Sequence, residues 1–126
     1  MKKILTKVNF KDHRGVIVDL LQREKINAVT FLTINKTKVR GNHYHKKTYQ
    51  WNYIISGQMI LVSRIQKKIK FKVLKKGDFY LTKPYEHHAL IGKTKCEVLV
   101  FTKGPRGGKE YETDTFRLKD DLSKLI

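Results

Sequence analysis

The chain has 126 residues, with 28 Lys and Arg against 11 Asp and Glu and a formal net charge of +17. That length favours a single core, and 40% hydrophobic residues including six Phe, six Tyr and one Trp exclude wholesale disorder. No run approaches the roughly 18 apolar residues of a membrane span, Lys7 and Lys11 break any signal-peptide core, and the lone Cys96 excludes an internal disulfide. The expectation is one cytoplasmic domain over residues 1–126, with a core over 26–103, a tail over 104–126 and no membrane partner.

In chain order, Val16 to Leu21 is an apolar run ahead of the charged turn Gln22-Arg23-Glu24-Lys25, and Asn27 to Asn35 (NAVTFLTIN) has the β-branched and aromatic content of a strand. Tyr49 to Ser56 and Gln58 to Ile65 flank Gly57 as a hairpin. Lys68 to Leu74 alternates lysine with apolar residues, and Lys75-Lys76-Gly77-Asp78 turns the chain into Phe79 to Thr82. Pro84 breaks the pattern before strands over His87 to Ile91 and Glu97 to Thr102. The Gly-rich loop at 104–108 ends the regular part, an extended tail follows, and Asp120 to Ile126 reads as a short helix. Eight to ten short strands with regular turns predict an all-β sandwich or barrel.

The basic residues, 22 Lys and 6 Arg, are scattered and concentrate at expected turns and strand ends. They are read first as a solvating decoration of strand edges. Electrostatic nucleic-acid binding ranks last among the functions considered, because no recognition motif accompanies the charge.

Four of the five histidines fall in two short segments, GNHYHKKTYQ and KPYEHHAL. His43 and His45, two apart on a strand, share a face, and Gln50 on the next strand can return to the same cavity. Adjacent His87 and His88 point to opposite faces, so one joins the cavity and the other leaves it. His13 is read as part of a turn with Asp12, Arg14 and Gly15, and Asp78 as a turn residue. Three converging imidazoles could hold a divalent metal with open positions. Without metal they could supply a base that titrates near neutrality.

These segments resemble the two motifs of the cupins. His43-Tyr44-His45, four residues, Gln50, six residues and Gly57 follow the spacing of the first; Gly77, Pro84 and His88 follow the second. Gln50 stands where metal cupins usually carry Glu. Arg40-Gly41-Asn42-His43-Tyr44-His45-Lys46 is similar to the Arg-Gly-x-His-x-His-Lys of nucleotide-sugar 3,4-ketoisomerases, and its first part to the dTDP-4-keto-6-deoxyhexose 3,5-epimerases. The cupin domain of some capsular polysaccharide enzymes also shows Arg-Gly-Asn-His-Tyr-His and a later His.

The resemblance implies a double-stranded β-helix, or jelly-roll barrel. It also implies an epimerase or ketoisomerase of a 4-keto-6-deoxyhexose nucleotide in surface polysaccharide synthesis. His43 and His45 are then the catalytic residues, with His43 as the base, and Arg40, Lys46 and Tyr80 hold substrate without a cofactor. The alternative is a metal cupin with Zn, Ni, Fe or Mn on His43, His45, His88 and Gln50, acting as an oxygenase or as a sugar-binding domain. Exposed strand edges in so small a barrel predict a homodimer, with residues 1–20 or the tail packed across the two-fold axis.

Overall fold

The computed structural model describes all of residues 1–126. Its strands are β1 (Lys2–Lys3), β2 (Val8–Asp12), β3 (Gly15–Val18), β4 (Ala28–Ile34), β5 (Val39–Tyr44) and β6 (Tyr49–Ser56). They continue as β7 (Gln58–Ile65), β8 (Lys68–Lys75), β9 (Phe79–Thr82), β10 (His87–Gly92), β11 (Cys96–Lys103) and β12 (Phe116–Arg117). Two antiparallel five-stranded sheets, ordered β1-β9-β6-β11-β4 and β12-β5-β10-β7-β8, face each other as a cupin jelly roll, and β2 and β3 form a separate hairpin.

Alternation along each strand explains the layers. On β7 the inward Met59 and Leu61 are fully buried, and they join Ile34, Ile54, Leu74, Leu90, Cys96 and Val98 between the sheets. The outward Trp51, Phe79 and Leu81 of the first sheet are covered by Ile4, Leu20, Leu21 and Ile26. The outward Val62 and Ala89 of the second are covered by Leu118 and Leu122 from the tail. The middle of each outer face is therefore covered by segments from outside the sheets, while the outward Val29 and Phe31 of β4 and Phe71 of β8 stay exposed.

Gly57 closes the β6–β7 turn at φ +79°, where a Cβ would come within 2.2 Å of the Lys95 carbonyl oxygen, so only glycine fits. The expected C-terminal helix is instead a single 3-10 turn over Leu122–Leu125. Asp121 caps this turn by accepting the Ser123 N–H, while Asp120 is committed elsewhere, to Arg64, through two hydrogen bonds of 2.6 and 2.9 Å. Nor is the tail simply extended. A 3-10 turn at Gly108–Glu110 and the two-residue β12 bring it back onto β5.

The inward residues change character along the strands. Ile54 on β6 gives way to Asn52 and Gln50, Leu90 on β10 to His88, and Ile34 on β4 to Leu32 and Thr30. One end of the barrel is thus packed with hydrocarbon and the other opens as a polar cleft.

Candidate active site

The open end is a cleft of about 590 Å³. Its wall combines Gln50 and Asn52 of β6, His43 of β5 and His88 of β10 with Arg40 at the rim and Arg106, Tyr111 and Arg117 from the tail.

A local irregularity aims the histidines. Gly41 and Asn42 both have positive φ, +81° and +61°, and the β5–β10 register shifts there, so that His43 pairs with His88 while Gly41 pairs with Ala89. This is a bulge that re-aims a side chain. At Gly41 a Cβ would lie 3.2 Å from the His88 carbonyl oxygen and 3.6 Å from its ring, so glycine lets the His88 ring lie close to β5. Asn42 is held in its unusual conformation by the tail. Its Nδ2 donates to the Asp120 carbonyl at 2.9 Å, and its Oδ1 accepts from the Leu122 N–H at 2.9 Å.

The three imidazoles meet as the spacing predicts. Ring centroids lie 4.7 Å apart for His43–His45 and His43–His88, and 5.3 Å apart for His45–His88. Their environments differ. His45 is 5% exposed, lies behind the cleft wall, donates Nδ1–H to the Asp114 carbonyl at 2.8 Å, and has Nε2 3.2 Å from Gln50 Oε1. His88, 3% exposed, donates Nδ1–H to the Glu86 carbonyl at 3.0 Å, which leaves Nε2 as the acceptor in the neutral ring. His43 hydrogen-bonds to nothing in the protein and faces the cleft.

Burial, the neighbouring His88 and His45, and the cations of Arg117 and Arg106 push His43 down to about 3. Burial and His45 push His88 down to about 4, against the opposing pull of its Glu86 hydrogen bond. Both rings are neutral at physiological pH.

The other expected residues divide. Arg40 reaches the cleft, with Nε donating to the Thr33 carbonyl at 2.8 Å. Lys46 does not; its ammonium sits 4.2 Å over the Phe116 ring. Tyr80 is 5% exposed in the inter-sheet core, level with Asn52, and takes no part in the cleft wall because β9 lies on the side of β6 away from β11 and β4. His87 turns outward and accepts from Arg64 Nε at 3.1 Å, as expected for the neighbour of an inward residue.

The sequence reading did not find Arg106, Arg117 or Asp114. Asp114 is 6% exposed. Its carboxylate accepts from Lys46 N–H at 3.0 Å, Lys47 N–H at 2.8 Å and the Thr48 hydroxyl at 2.7 Å, while its carbonyl holds His45. Burial opposes ionisation of this carboxyl, but the three hydrogen bonds prevail and lower its pKa. It pins the tail that carries both arginines. A loop aspartate 69 positions from its histidine has no periodic signal, and it is one of five acidic residues in a tail with as many basic ones, so its charge does not single it out.

Among solved structures, the chain is similar to the 3,4-ketoisomerase QdtA from Thermoanaerobacterium thermosaccharolyticum, determined with TDP-4-keto-6-deoxyglucose (TM-score 0.73, 23% identity, 93% of this chain and 88% of that one). It is also similar to the TDP-quinovose 3,4-ketoisomerase WlaRB from Campylobacter jejuni (TM-score 0.76, 18% identity, 98% and 96%). The capsular polysaccharide assembling protein CapF from Staphylococcus aureus matches at TM-score 0.66 and 16% identity, over 92% of this chain but 35% of CapF. At these identities the likeness establishes the fold. Comparison with curated protein sequences finds no match. The model of the polysaccharide biosynthesis C-terminal domain family matches residues 10–102, the stretch that builds nearly the whole barrel and both histidine segments, and the chain belongs to that family.

Proposed function

We propose that this protein is a cytoplasmic, homodimeric isomerase of a nucleotide-linked 4-keto-6-deoxyhexose in surface polysaccharide synthesis, with His43 as the base. The observation that carries the reading is a neutral His43 without a hydrogen-bond partner, facing a cleft rimmed by three arginines. The ligands of the ketoisomerases similar in fold, TDP and TDP-4-keto-6-deoxyglucose, support the substrate class.

The C4 carbonyl acidifies the C3–H bond, and His43 takes that proton to leave an enolate. The Gln50 and Asn52 carboxamides, both in the wall, offer N–H donors to the enolate oxygen. His88, with Nε2 free as an acceptor, takes the O3 proton and delivers it to O4, while His43 returns its proton to C4. One C–H and one O–H bond break, one of each forms, and the product is the 3-keto isomer. Epimerisation at C3 would instead require a proton from a second acid on the opposite face of the sugar. Arg40, Arg106 and Arg117 are suited to the diphosphate. A bound diphosphate would offset the two tail cations that depress His43 and so raise its basicity in the complex. His45, expected from the resemblance to be catalytic, is held behind the wall, and its role here is positional.

The test is incubation with TDP-4-keto-6-deoxyglucose in deuterium oxide, read by NMR. Deuterium at the carbon next to the carbonyl, with or without net isomerisation, is the expected result. Absence of exchange across a panel of keto-sugar nucleotides overturns the reading.

A second reading has its own observation. The nitrogens of His43, His45 and His88 that could bind a metal all lie within 4.8 Å of one another. Two of these rings have Nδ1–H anchored on carbonyls, the outer-shell arrangement of metal-binding histidines. The three imidazoles, with the neutral Gln50 beside them, fit Zn, Ni, Fe or Mn. A bound ion would supply Lewis acidity toward a keto oxygen. Near-stoichiometric metal on protein purified without chelator, lost in His43→Ala, supports this reading; metal-free folded protein removes it.

A further inference from the structure

The hydrocarbon end of the barrel, opposite the histidines, has a charge pattern of its own. Four connections meet there: β4–β5 at 35–38, β6–β7 at Gly57, β8–β9 at 76–78 and β10–β11 at 93–95. Backbone hydrogen bonds tie them into one cap. Thr37 N–H donates to the Gly92 carbonyl at 2.8 Å and Gly92 N–H to that of Lys38 at 3.0 Å. Lys93 N–H donates to the Gln58 carbonyl at 3.0 Å, and Gly77 N–H to that of Ile54 at 2.9 Å. Six lysines stand on this cap, Lys36, Lys38, Lys75, Lys76, Lys93 and Lys95, and all are exposed. None of them takes part in an ion pair. The acidic residues beside them, Asp78 and Glu97, are two against six, and both are already engaged: Asp78 accepts the Lys75 N–H at 2.9 Å and Glu97 the Ser56 hydroxyl at 2.8 Å. Protection of strand edges does not account for these lysines, because all but Lys75 lie in loops and turns.

We propose that this end is an electrostatic docking surface for an anionic lipid bilayer, which leaves the cleft at the opposite end open to substrate. The inference is independent of the catalytic reading. Residue type identifies the partner. Residues 35–38, 56–58, 75–78 and 93–97 contain no arginine and no aromatic side chain. There is thus no planar fork for base edges or bidentate phosphate contacts, and no ring on which a base could stack. A hydrated point charge on a flexible stem suits a diffuse layer of headgroups, which has no fixed geometry to match. Six is within the roughly four to eight basic residues that hold a surface to an anionic leaflet. The lack of an apolar run excludes crossing a bilayer but not lying against one. At physiological salt the attraction reaches only about 8 Å, so charges on exposed loops feel it and attachment is reversible.

The test is flotation with vesicles of mixed phosphatidylglycerol and phosphatidylcholine, beside vesicles of phosphatidylcholine alone. The wild type should float with the anionic vesicles at low salt only, and be released as salt rises. Lys36→Gln, Lys38→Gln, Lys93→Gln and Lys95→Gln, made together, remove four charges from the cap. Each lysine at an anionic surface is worth about fivefold in affinity, so binding should fall roughly 500-fold. A control carrying Lys7→Gln, Lys11→Gln, Lys25→Gln and Lys109→Gln loses the same net charge from exposed positions outside the cap and should keep most of the binding. Melting curves check that both variants fold. Lysine acetylation of the wild type gives a readout without substitution, since the six cap lysines should react more slowly when anionic vesicles are present. Folded wild type that does not float at low salt overturns the proposal. So does an equal loss in the two variants, which would mean that overall charge binds and not this end. Complete displacement from the vesicles by duplex DNA at matched phosphate concentration would assign the surface to nucleic acid instead, and also overturns it.

Discussion

The histidine wall and the β2–β3 hairpin are both built from β-structure, yet they are opposites in how their side chains are held. Around the wall nearly every polar group is tied down. His45 is fixed through the Asp114 carbonyl, His88 through Glu86, and Asn42 through the C-terminal turn. In the hairpin, hydrogen bonds close the turn, where Asp12 accepts from the Arg14 backbone and guanidinium, but its apolar side chains touch no core. The wall is thus pre-organised for chemistry within one chain, with His43 as its one unanchored ring. The hairpin, by contrast, leaves Val8, Phe10, Val16 and Ile17 bare within one chain.

Removing the unanchored ring gives the largest effect. His43→Asn should lower turnover of a keto-sugar nucleotide about 10³-fold, the middle of the range for a lost general base. Stability should shift by less than about 0.5 kcal/mol, because the ring makes no hydrogen bond to lose. Steady-state kinetics beside urea denaturation separates the two. A large loss of stability with modest loss of rate would make His43 a structural residue.

Removing an anchor tests the other half of the contrast. Asp114→Ala leaves the Lys46 and Lys47 amides and the Thr48 hydroxyl without their acceptor, which costs roughly 3 kcal/mol. It also frees the segment carrying Arg106 and Arg117, so KM should rise more than kcat falls. Asp114→Asn, retaining one oxygen acceptor, should recover part of both. If KM is unchanged in the folded variant, the tail does not hold the ligand.

How far the sequence led follows the same division. Strands such as β6, β7 and β9 were legible to the residue, since period-two alternation and turn glycines record the sheet directly. The convergence of His43, His45 and His88 was legible because strand parity sets which face each one takes. Asp114, Asn42 and Arg117 were not, because their positions depend on the tail folding back over some 70 residues. No local pattern encodes that return. Tyr80 shows a related limit: parity shows that it points inward, but not that β9 lies across β6 from the strands that line the cleft. The β2 strand was missed because Val8 and Phe10, although they alternate with Asn9 and Lys11, are only two apolar positions in a short polar stretch.

The anchored wall also has a pH signature. His43 and His88 are held near 3 and 4 in the folded chain against 6.5 when exposed. As pH falls through 6.5 the unfolded chain takes up two protons that the folded chain refuses, so stability is full above that pH and falls from 6.5 to about 3, the His88 share ending near 4. The slope should approach one to two protons, about 1.4 kcal/mol per pH unit for each. Thermal melts at pH 7, 6 and 5 would show it, and His43→Asn should flatten the profile. An unchanged profile would mean that His43 does not contribute this linkage.

The smallest effect is expected in the hairpin. In dilute protein, where a single chain stands alone, Ile17→Lys removes a side chain that is already 59% exposed and packs on no core. Its cost to unfolding in urea should be under about 0.5 kcal/mol, the range of ordinary surface changes. At high protein concentration the same substitution should lower the melting temperature relative to the wild type, because association stabilises only the folded form that can dimerise. A difference that grows with concentration would show that the hairpin is completed by a second chain. A difference that is constant and large would place Ile17 in the core of the single chain, and the contrast between the two regions would fail.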